Sequence, residues 1–384
     1  LSQVAVTLIL VSAASLFTAT LRNLTRVDGG YDTDRMLLMS IESRSTPYER
    51  TGLAPVQDDM LRRVGNVPGV RVVALSSRIP LFGGSNWYVR VRVPEYDVPG
   101  DTIWVATNLI AGSYLDASGI RLASGRDFTP GDVASGEGVV IVSAAFVQRY
   151  YGDRDPLQRS MTVWLTQDES RSFRIVGVAR DAKYGSLRET PEPLIYLPAT
   201  QVPIAHAGTM LARTTGDPLR VSSAVSKAIE AAAPGIIIRR VQDMEQERDY
   251  ALTLERLAAR LATFVSAMAL LLSVVGLYGV VAYSIARRMS EIGIRIALGA
   301  RGRAVLWLVA KETIALVGVG VLVGIPLSFA ANGALRSALF GVGAFDPTAA
   351  TVAVLLLATA GLAASVVPAR RAVRVDPRLA LNAE

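Results

Sequence analysis

Arg287-Arg288-Met289-Ser290-Glu291-Ile292-Gly293-Ile294-Arg295-Ile296-Ala297-Leu298-Gly299-Ala300-Arg301-Gly302-Arg303 is the stretch whose reading decides the fold. It carries five arginines against one glutamate and lies between two long apolar runs. Short basic segments beside apolar runs stay on the cytoplasmic side of a membrane, so this stretch is read as a cytoplasmic turn between two spans.

Working outward, four runs contain no charged residue: 1–21, 261–286, 313–335 and 347–369. Each reaches the roughly 20 residues that a helix needs to cross a hydrocarbon core of about 30 Å. Apolar residues make up 51% of the 384-residue chain and charged residues 19%; the apolar excess is concentrated in these runs. By length the first run also suits a signal peptide. No basic stretch precedes it and Arg22 follows it, which favours a first span truncated at its N-terminus.

The net charge of +7 is localised in the same way. Residues 287–303 and 370–384 hold nine arginines and three acids, which leaves residues 1–260 nearly neutral. Basicity confined to the flanks of spans points to orientation rather than to a nucleic-acid partner. The expected topology places residues 22 to about 255 outside, with the 287–304 loop and the 370–384 tail in the cytoplasm.

Several chemistries are excluded or disfavoured. There is no cysteine, so disulfides, thiol catalysis and cysteine metal sites are out. A single histidine, His206, disfavours a histidine metal site or a Ser-His-Asp triad, and no Walker A, HExxH or G-x-S-x-G pattern is present. Asp127, Asp132, Asp153 and Asp155 cluster at turns and read as turn and cap chemistry.

The external segment mixes both periods. Met36 to Ile41 and Val70 to Leu75 read as strands around a short helix from Pro55 to Val64. Trp87, Val89, Val91 and Val93 alternate with Tyr88, Arg90 and Arg92, the period of a half-buried strand. Short strands over Ile103 to Asn108, Val139 to Ser143, Phe173 to Val178 and Leu194 to Leu197 follow, with one helix near Ala144 to Tyr151. Asp217-Pro218 is an N-cap followed by a proline at the first helical position. Val221, Val225, Ala228 and Ile229 then form a helical stripe, and Ile236 to Val241 a last strand. An early and a late βα piece thus bracket a strand-rich middle.

From Asp243 the pattern is helical without interruption into the second apolar run, as a stiff rod would be. The span interiors contain no ionisable residue, which argues against an ion-coupled carrier. Gly276, Gly279, Gly320 and Gly324 offer small-residue faces for close helix packing. In the basic loop, Met289, Ile292 and Ile296 share one helical face and Arg288, Glu291 and Arg295 another. Glu291 precedes Arg295 by four residues, a pairing of ~0.2–0.5 kcal/mol, and Gly299 is a natural stop. Such a helix either rests on anionic headgroups or fits a pocket in a partner protein; its short apolar face suits the pocket better.

Gly276-Leu277-Tyr278-Gly279-Val280, the run Arg287 to Ala300, and the ending Pro368-Ala369-Arg370-Arg371-Ala372 with Asp376-Pro377 and Ala380-Leu381 resemble the FtsX-like permease domain of MacB-type ABC transporters. Gly125-Arg126-Asp127-Phe128, Phe173 to Asp181 and Pro193 to Pro198 resemble the MacB-like periplasmic core domain. The wording is most like that of large permeases whose chains carry this unit twice. Two positions depart from the pattern: Gln158 stands where such proteins usually carry glycine, and Asn382 where a basic residue is common.

The resemblance implies a multi-pass α-helical membrane protein of four spans with a large α+β extracytoplasmic domain, its βα subdomain interrupted by a strand-rich insertion. The segments are a first span at 1–21, a periplasmic core domain at 22–250 and a permease domain at 251–384. It implies a non-catalytic permease subunit, without cofactor or metal, in a bacterial inner membrane. Its partners are an ABC ATPase in the cytoplasm, a second permease copy (a homodimer or a duplicated half), a periplasmic adaptor or cargo, and membrane lipid, with no nucleic acid. Arg287, Glu291, Ile292, Arg295, Leu298 and Gly299 are implied to face the ATPase, and a stalk at about Asp243 to Leu261 to convey its closure outward. The cargo class implied is a lipoprotein, peptide or amphiphile. The alternative is an FtsX-like signalling scaffold that activates a periplasmic cell-wall hydrolase.

Overall fold

The computed structural model describes residues 2–84, 87–94, 96, 102–132, 135–202, 207–288, 302–334, 339–342 and 347–373. In chain order the elements are α1 (Ser2–Arg26), β1 (Met36–Glu42), α2 (Gln57–Gly65), β2 (Val70–Ser76), β3 (Arg78–Ile79), β4 (Gly83–Gly84), β5 (Trp87–Arg92), β6 (Ile103–Gly112), α3 (Tyr114–Ser118), β7 (Leu122–Gly125), β8 (Gly138–Ser143) and α4 (Ala144–Tyr150). Then come β9 (Ser160–Trp164), β10 (Ser170–Ala179), β11 (Leu194–Pro198), β12 (Ala207–Thr214), α5 (Pro218–Ala232), β13 (Ile237–Asp243), α6 (Met244–Ala251), α7 (Thr253–Arg287), α8 (Gly302–Ala334) and α9 (Pro347–Val373). They fall into two compact units, one of Val27–Ala251 and one of Leu1–Arg26 with Leu252–Glu384.

In the first of these, β1-α2-β2 from early in the chain joins β12-α5-β13 from late in it. The four strands lie side by side in the order β2-β12-β1-β13, every pair antiparallel, the split β-α-β-β-α-β arrangement. Asp217 caps α5 by accepting from Leu219 N at 3.0 Å, and Pro218 follows it at the first helical position. The inward stripe of α5 buries Val225 and Ile229, and α2 buries Met60 and Val64, all in one core with Met39 and Met210 of the sheet.

The middle of the chain closes on itself. β6 pairs with β5 and β11, β11 with β8, β8 with β10, β10 with β9, and β9 with β5. Six strands therefore form a barrel with no free edge between them. The long β6 belongs to both sheets, pairing β5 at its start and β2 at its end. At that junction the buried Asn108 Oδ1 lies 2.7 Å from Ser76 Oγ and 3.0 Å from Arg78 N, satisfying groups that a buried crossing would otherwise orphan.

Two readings of the sequence need correction. Strands β7, β9 and β12 have no counterpart in the periodicity; in β12 every residue from Gly208 to Thr214 is buried, so that strand carries no alternation to read. The rod is also broken. Leu252 interrupts the helix with φ −98° and ψ 5°, so α6 ends at Ala251 and α7 begins at Thr253. Leu252 is buried, and its carbonyl accepts from Arg256 N at 2.9 Å as the first acceptor of α7.

In the other unit, among the described residues, three helices are long and apolar enough to span a membrane: Ser2–Arg26, Thr253–Arg287 and Thr313–Ala334 within α8. A shorter apolar segment, Thr351–Ala364, lies within α9. Half of the apolar window of α1 is buried in the bundle, against 22% for α7 and α8. That difference makes α1 the central helix of the unit.

Candidate functional site

The centre of the helical unit is assembled along α1, whose faces meet different neighbours. Toward α7, the Gln3 side chain lies against Gly276, where a Cβ would run into Gln3 Oε1. One turn along, Thr7 Oγ1 is 2.8 Å from Ser273 Oγ and 3.2 Å from the Ala269 carbonyl. Rising numbers on α1 thus meet falling numbers on α7, and the two helices are antiparallel.

Toward α8 the order is parallel. A Cβ on Gly320 would stand 2.6 Å from Val4 Cγ1, and one on Gly324 2.7 Å from Leu8 Cδ2 and 3.2 Å from Ala5 Cα. Further along, Asn332 Nδ2 donates to Ser12 Oγ at 3.0 Å. Gly320, Gly324, Ser328 and Asn332 recur every four residues, a ridge of small and polar side chains along α8. Ser328 Oγ and Asn332 Oδ1 are buried and lack a partner among the described residues. Beyond the helix end, Asn23 Nδ2 donates to the Gly341 carbonyl at 3.0 Å and Phe340 N to Thr20 Oγ1 at 3.3 Å. Val4 and Leu8 also cluster with Val11 of α1 and with Ala353 and Leu357 of α9.

The residues singled out in the sequence are distributed as follows. Gly276, Gly320 and Gly324 lie at contacts with α1, whereas a Cβ on Gly279 would meet nothing within 4 Å. Arg287 is the last residue of α7, its guanidinium carbon 5.9 Å from the Tyr283 ring centre. Glu291, Ile292, Arg295, Leu298 and Gly299 lie outside the described residues, as do His206 and Asn382. Sequence reasoning passed over Thr7, Ser12, Ser273 and Asn332. Their signal was present as polar residues inside otherwise apolar runs, where side-chain hydrogen bonds between helices are the usual outlet.

In the other unit, the helix preceding the Leu252 break is fastened to its own sheet. Met244 and Glu247 of α6 are buried, and Arg240 Nη2 of β13 donates to Glu247 Oε2 at 2.6 Å. The Arg240 guanidinium also lies over the Phe82 ring, 4.6 Å from its centre. Burial raises the Glu247 carboxyl above the ordinary range, an effect that Arg240 opposes but does not cancel.

Residues 4–245 match the MacB-like periplasmic core domain, and residues 263–377 match the FtsX-like permease C-terminal region. The Pyoverdine export ATP-binding/permease protein PvdT of Pseudomonas syringae pv. tomato is 27% identical over 277 residues, 68% of this chain and 40% of its own length. The Macrolide export ATP-binding/permease protein MacB of Mannheimia succiniciproducens is 25% identical over 303 residues, 74% of this chain and 45% of its own. An ABC transporter permease of Bacillus subtilis, YvrN, is 23% identical over 364 residues, 89% of this chain and 83% of its own. The chain spans less than half the length of PvdT and MacB.

Proposed function

The chain belongs to the family of the MacB-like periplasmic core domain, carried together with an FtsX-like permease region, and from that membership we propose that it is the permease subunit of an ABC transporter of this type. In this reading four spans, α1, α7, α8 and α9, hold it in the bacterial cytoplasmic membrane. A separate nucleotide-binding partner hydrolyses ATP against the segment containing Arg287, Glu291, Ile292, Arg295, Leu298 and Gly299. The subunit itself is non-catalytic and moves its periplasmic domain to export or extract a lipoprotein, peptide or amphiphile.

The observation that carries this reading is the continuity of α7. It is one helix of 35 residues from Thr253 to Arg287, about 52 Å at 1.5 Å per residue. An unbroken helix moves as a body, so a displacement at Arg287 reaches Thr253 with little loss. There the chain passes through Leu252 into α6, which Met244 and Glu247 fasten to the periplasmic sheet. The coupling element is therefore a long lever ending in a turn, not the single rod that the sequence implied. Leu254, Leu257, Leu261 and Phe264 form an exposed stripe on the early turns of α7, an apolar face suited to a second permease copy.

The reading is tested by reconstituting the full chain in lipid with the ATPase that co-purifies with it. Replacing Glu291 and Arg295 by alanine is expected to abolish stimulation of ATP hydrolysis while membrane insertion is unchanged. Stimulation equal to that of the unaltered chain would remove the coupling assignment.

A further inference from the structure

In the helical unit, α1 and α7 border two hollows of about 580 and 360 Å³ that the coupling mechanism does not use. Thr18 and Thr263 line both, so the hollows join into one groove. Its walls are small or apolar: Ala14 and Ala19 of α1, Ala259 and Ala267 of α7, and Val352 and Leu356 of α9. Three of its hydroxyls are turned back on α1 and α7 themselves. Thr18 Oγ1 donates to the Ala14 carbonyl at 2.8 Å, Thr263 Oγ1 to that of Ala259 at 2.7 Å and Ser266 Oγ to that of Thr263 at 2.9 Å. Bonded in this way, they demand no partner from an occupant.

Arginines stand at one end of the groove. Arg22 directly follows the uncharged run of α1, and Arg260 directly precedes that of α7. The two helices are antiparallel, as the Gln3–Gly276 and Thr7–Ser273 contacts show, so both arginines fall at the same end of the bundle. Arg256 lies one turn before Arg260 on the same face of α7. All three line the groove, and among the described residues no carboxylate does. Arg22 and Arg260 are exposed, and among the described residues their guanidiniums make no ion pair. They are open to a ligand that arrives from the lipid side.

The length of the groove says what that ligand is. Along α1 its lining runs from Arg22 down to Val11, about 16 Å at ~1.5 Å per residue. That is the depth of one leaflet of a hydrocarbon core of ~30 Å. The groove is thus one leaflet deep, apolar below and cationic at its mouth, where the apolar runs end and lipid phosphates lie. A second copy seated on this face about a two-fold axis would set arginine against arginine. A phospholipid matches both parts, its chain to the apolar walls and its phosphate to the guanidiniums.

We propose that the groove holds one anionic phospholipid of the outer leaflet, of the phosphatidylglycerol class. The guanidiniums of Arg22 and Arg260 hold its phosphate, Arg256 adds a third positive charge, and one acyl chain lies between α1 and α7. The lipid is a resident of the subunit, not its cargo. The site rests on the reading of α1, α7 and α9 as spans, and on nothing in the assignment of the ATPase contact.

The test uses the full chain in nanodiscs of phosphatidylcholine with a minor fraction of phosphatidylglycerol, with no ATPase present. Native mass spectrometry then counts the lipids retained when the chain is released. The unaltered chain is expected to retain phosphatidylglycerol about 10-fold above its share of the bilayer, the usual worth of a charge-assisted hydrogen bond. Arg22→Gln with Arg260→Gln is expected to return retention to that share, while Lys311→Gln, a charge removed from α8 at a residue that does not line the groove, leaves it unchanged. Ala267→Phe, which fills the groove and keeps every arginine, is expected to lower retention as well; a loose layer of lipid held by charge alone would not respond to it. Equal retention of the two lipids by the unaltered chain overturns the proposal, and that measurement needs no variant. Release as a lipid-free dimer overturns it too and assigns the groove to a second copy. A chain that fails to enter the nanodisc would remove the span reading and the site together, whereas insertion without enrichment removes the site alone.

Discussion

Gly324 of α8 and Leu8 of α1 are in such close contact that a Cβ on the glycine would stand 2.7 Å from Leu8 Cδ2. Without a hydrophobic drive between helices in lipid, close packing of this kind supplies much of their association. Gly324→Val is therefore expected to separate the pair and lower thermal stability in detergent by several degrees. Gly279→Val, at a position with open space, is the matched control and should leave stability unchanged. Equal effects at the two positions would show that the α1–α8 contact does not hold the bundle together.

The Thr7–Ser273 and Asn332–Ser12 bonds are worth less. Hydrogen bonds between membrane helices average about 0.6 kcal/mol. Thr7→Val, which keeps the branched shape, is expected to cost roughly that amount in a steric-trapping or denaturant measurement. Asn332→Leu removes a buried carbonyl oxygen that has no partner among the described residues and is expected to cost no more than Thr7→Val, even though it too removes a bond. A loss of ~3 kcal/mol or more at either position would mean that polar contacts, not packing, dominate the seam.

Glu247 sets a pH dependence. Its folded-state carboxyl titrates above the ordinary value of 4.5 because burial disfavours the charged form. Above that folded value the carboxylate is ionised in both folded and unfolded chains, and the burial penalty is fully present. As pH falls from the folded value to 4.5, the folded protein takes up its proton first and the penalty disappears. This group thus makes α6 docking firmer with acidification across that window. Hydrogen exchange of α6 amides should slow accordingly after correction for intrinsic rates, and Glu247→Gln should flatten the trend. An unchanged profile in the variant would assign the dependence elsewhere.

Gln158 occupies the left-handed region with φ +64°, the conformation that glycine adopts without cost. For an L-residue this costs ~1–2 kcal/mol, against ~0.4–1 kcal/mol of unfolded-chain entropy that glycine adds. Arg174 donates to the Gln158 side chain and recovers part of the difference, while Gln158 N donates to the Ile175 carbonyl at 2.9 Å whichever residue is present. Gln158→Gly is expected to raise the melting temperature of the periplasmic transition by no more than about 2–4 °C. A clear drop would show that the Arg174 contact outweighs the backbone strain.

How legible these features were follows from the range of the forces involved. The alternation from Trp87 to Val93 marked β5, and Asp217-Pro218 marked the start of α5, because pleat and cap are fixed by neighbours in sequence. β12 left no such mark. It lies between β1 and β2 with both faces covered, so Met210, Leu211 and Ala212 are buried along with the polar Thr209, Arg213 and Thr214, and its polar residues do not alternate with its apolar ones. Among the glycines, spacing placed Gly276 and Gly279 on one span without distinguishing them; only the position of Gln3 does that.

Sequence alone determined the apolar runs, their flanking arginines and most of the local elements of the outer domain. Hydropathy, charge and turn chemistry act over a few residues and are written in consecutive letters. Tertiary structure decided that β6 meets β11 and closes a barrel, and that the helix breaks at Leu252. Those outcomes depend on contacts between residues as much as 88 positions apart, as in the Ala106–Leu194 and Ile110–Pro198 pairs of β6 and β11. Such contacts are selected by packing of the whole core and leave no periodic trace in either segment.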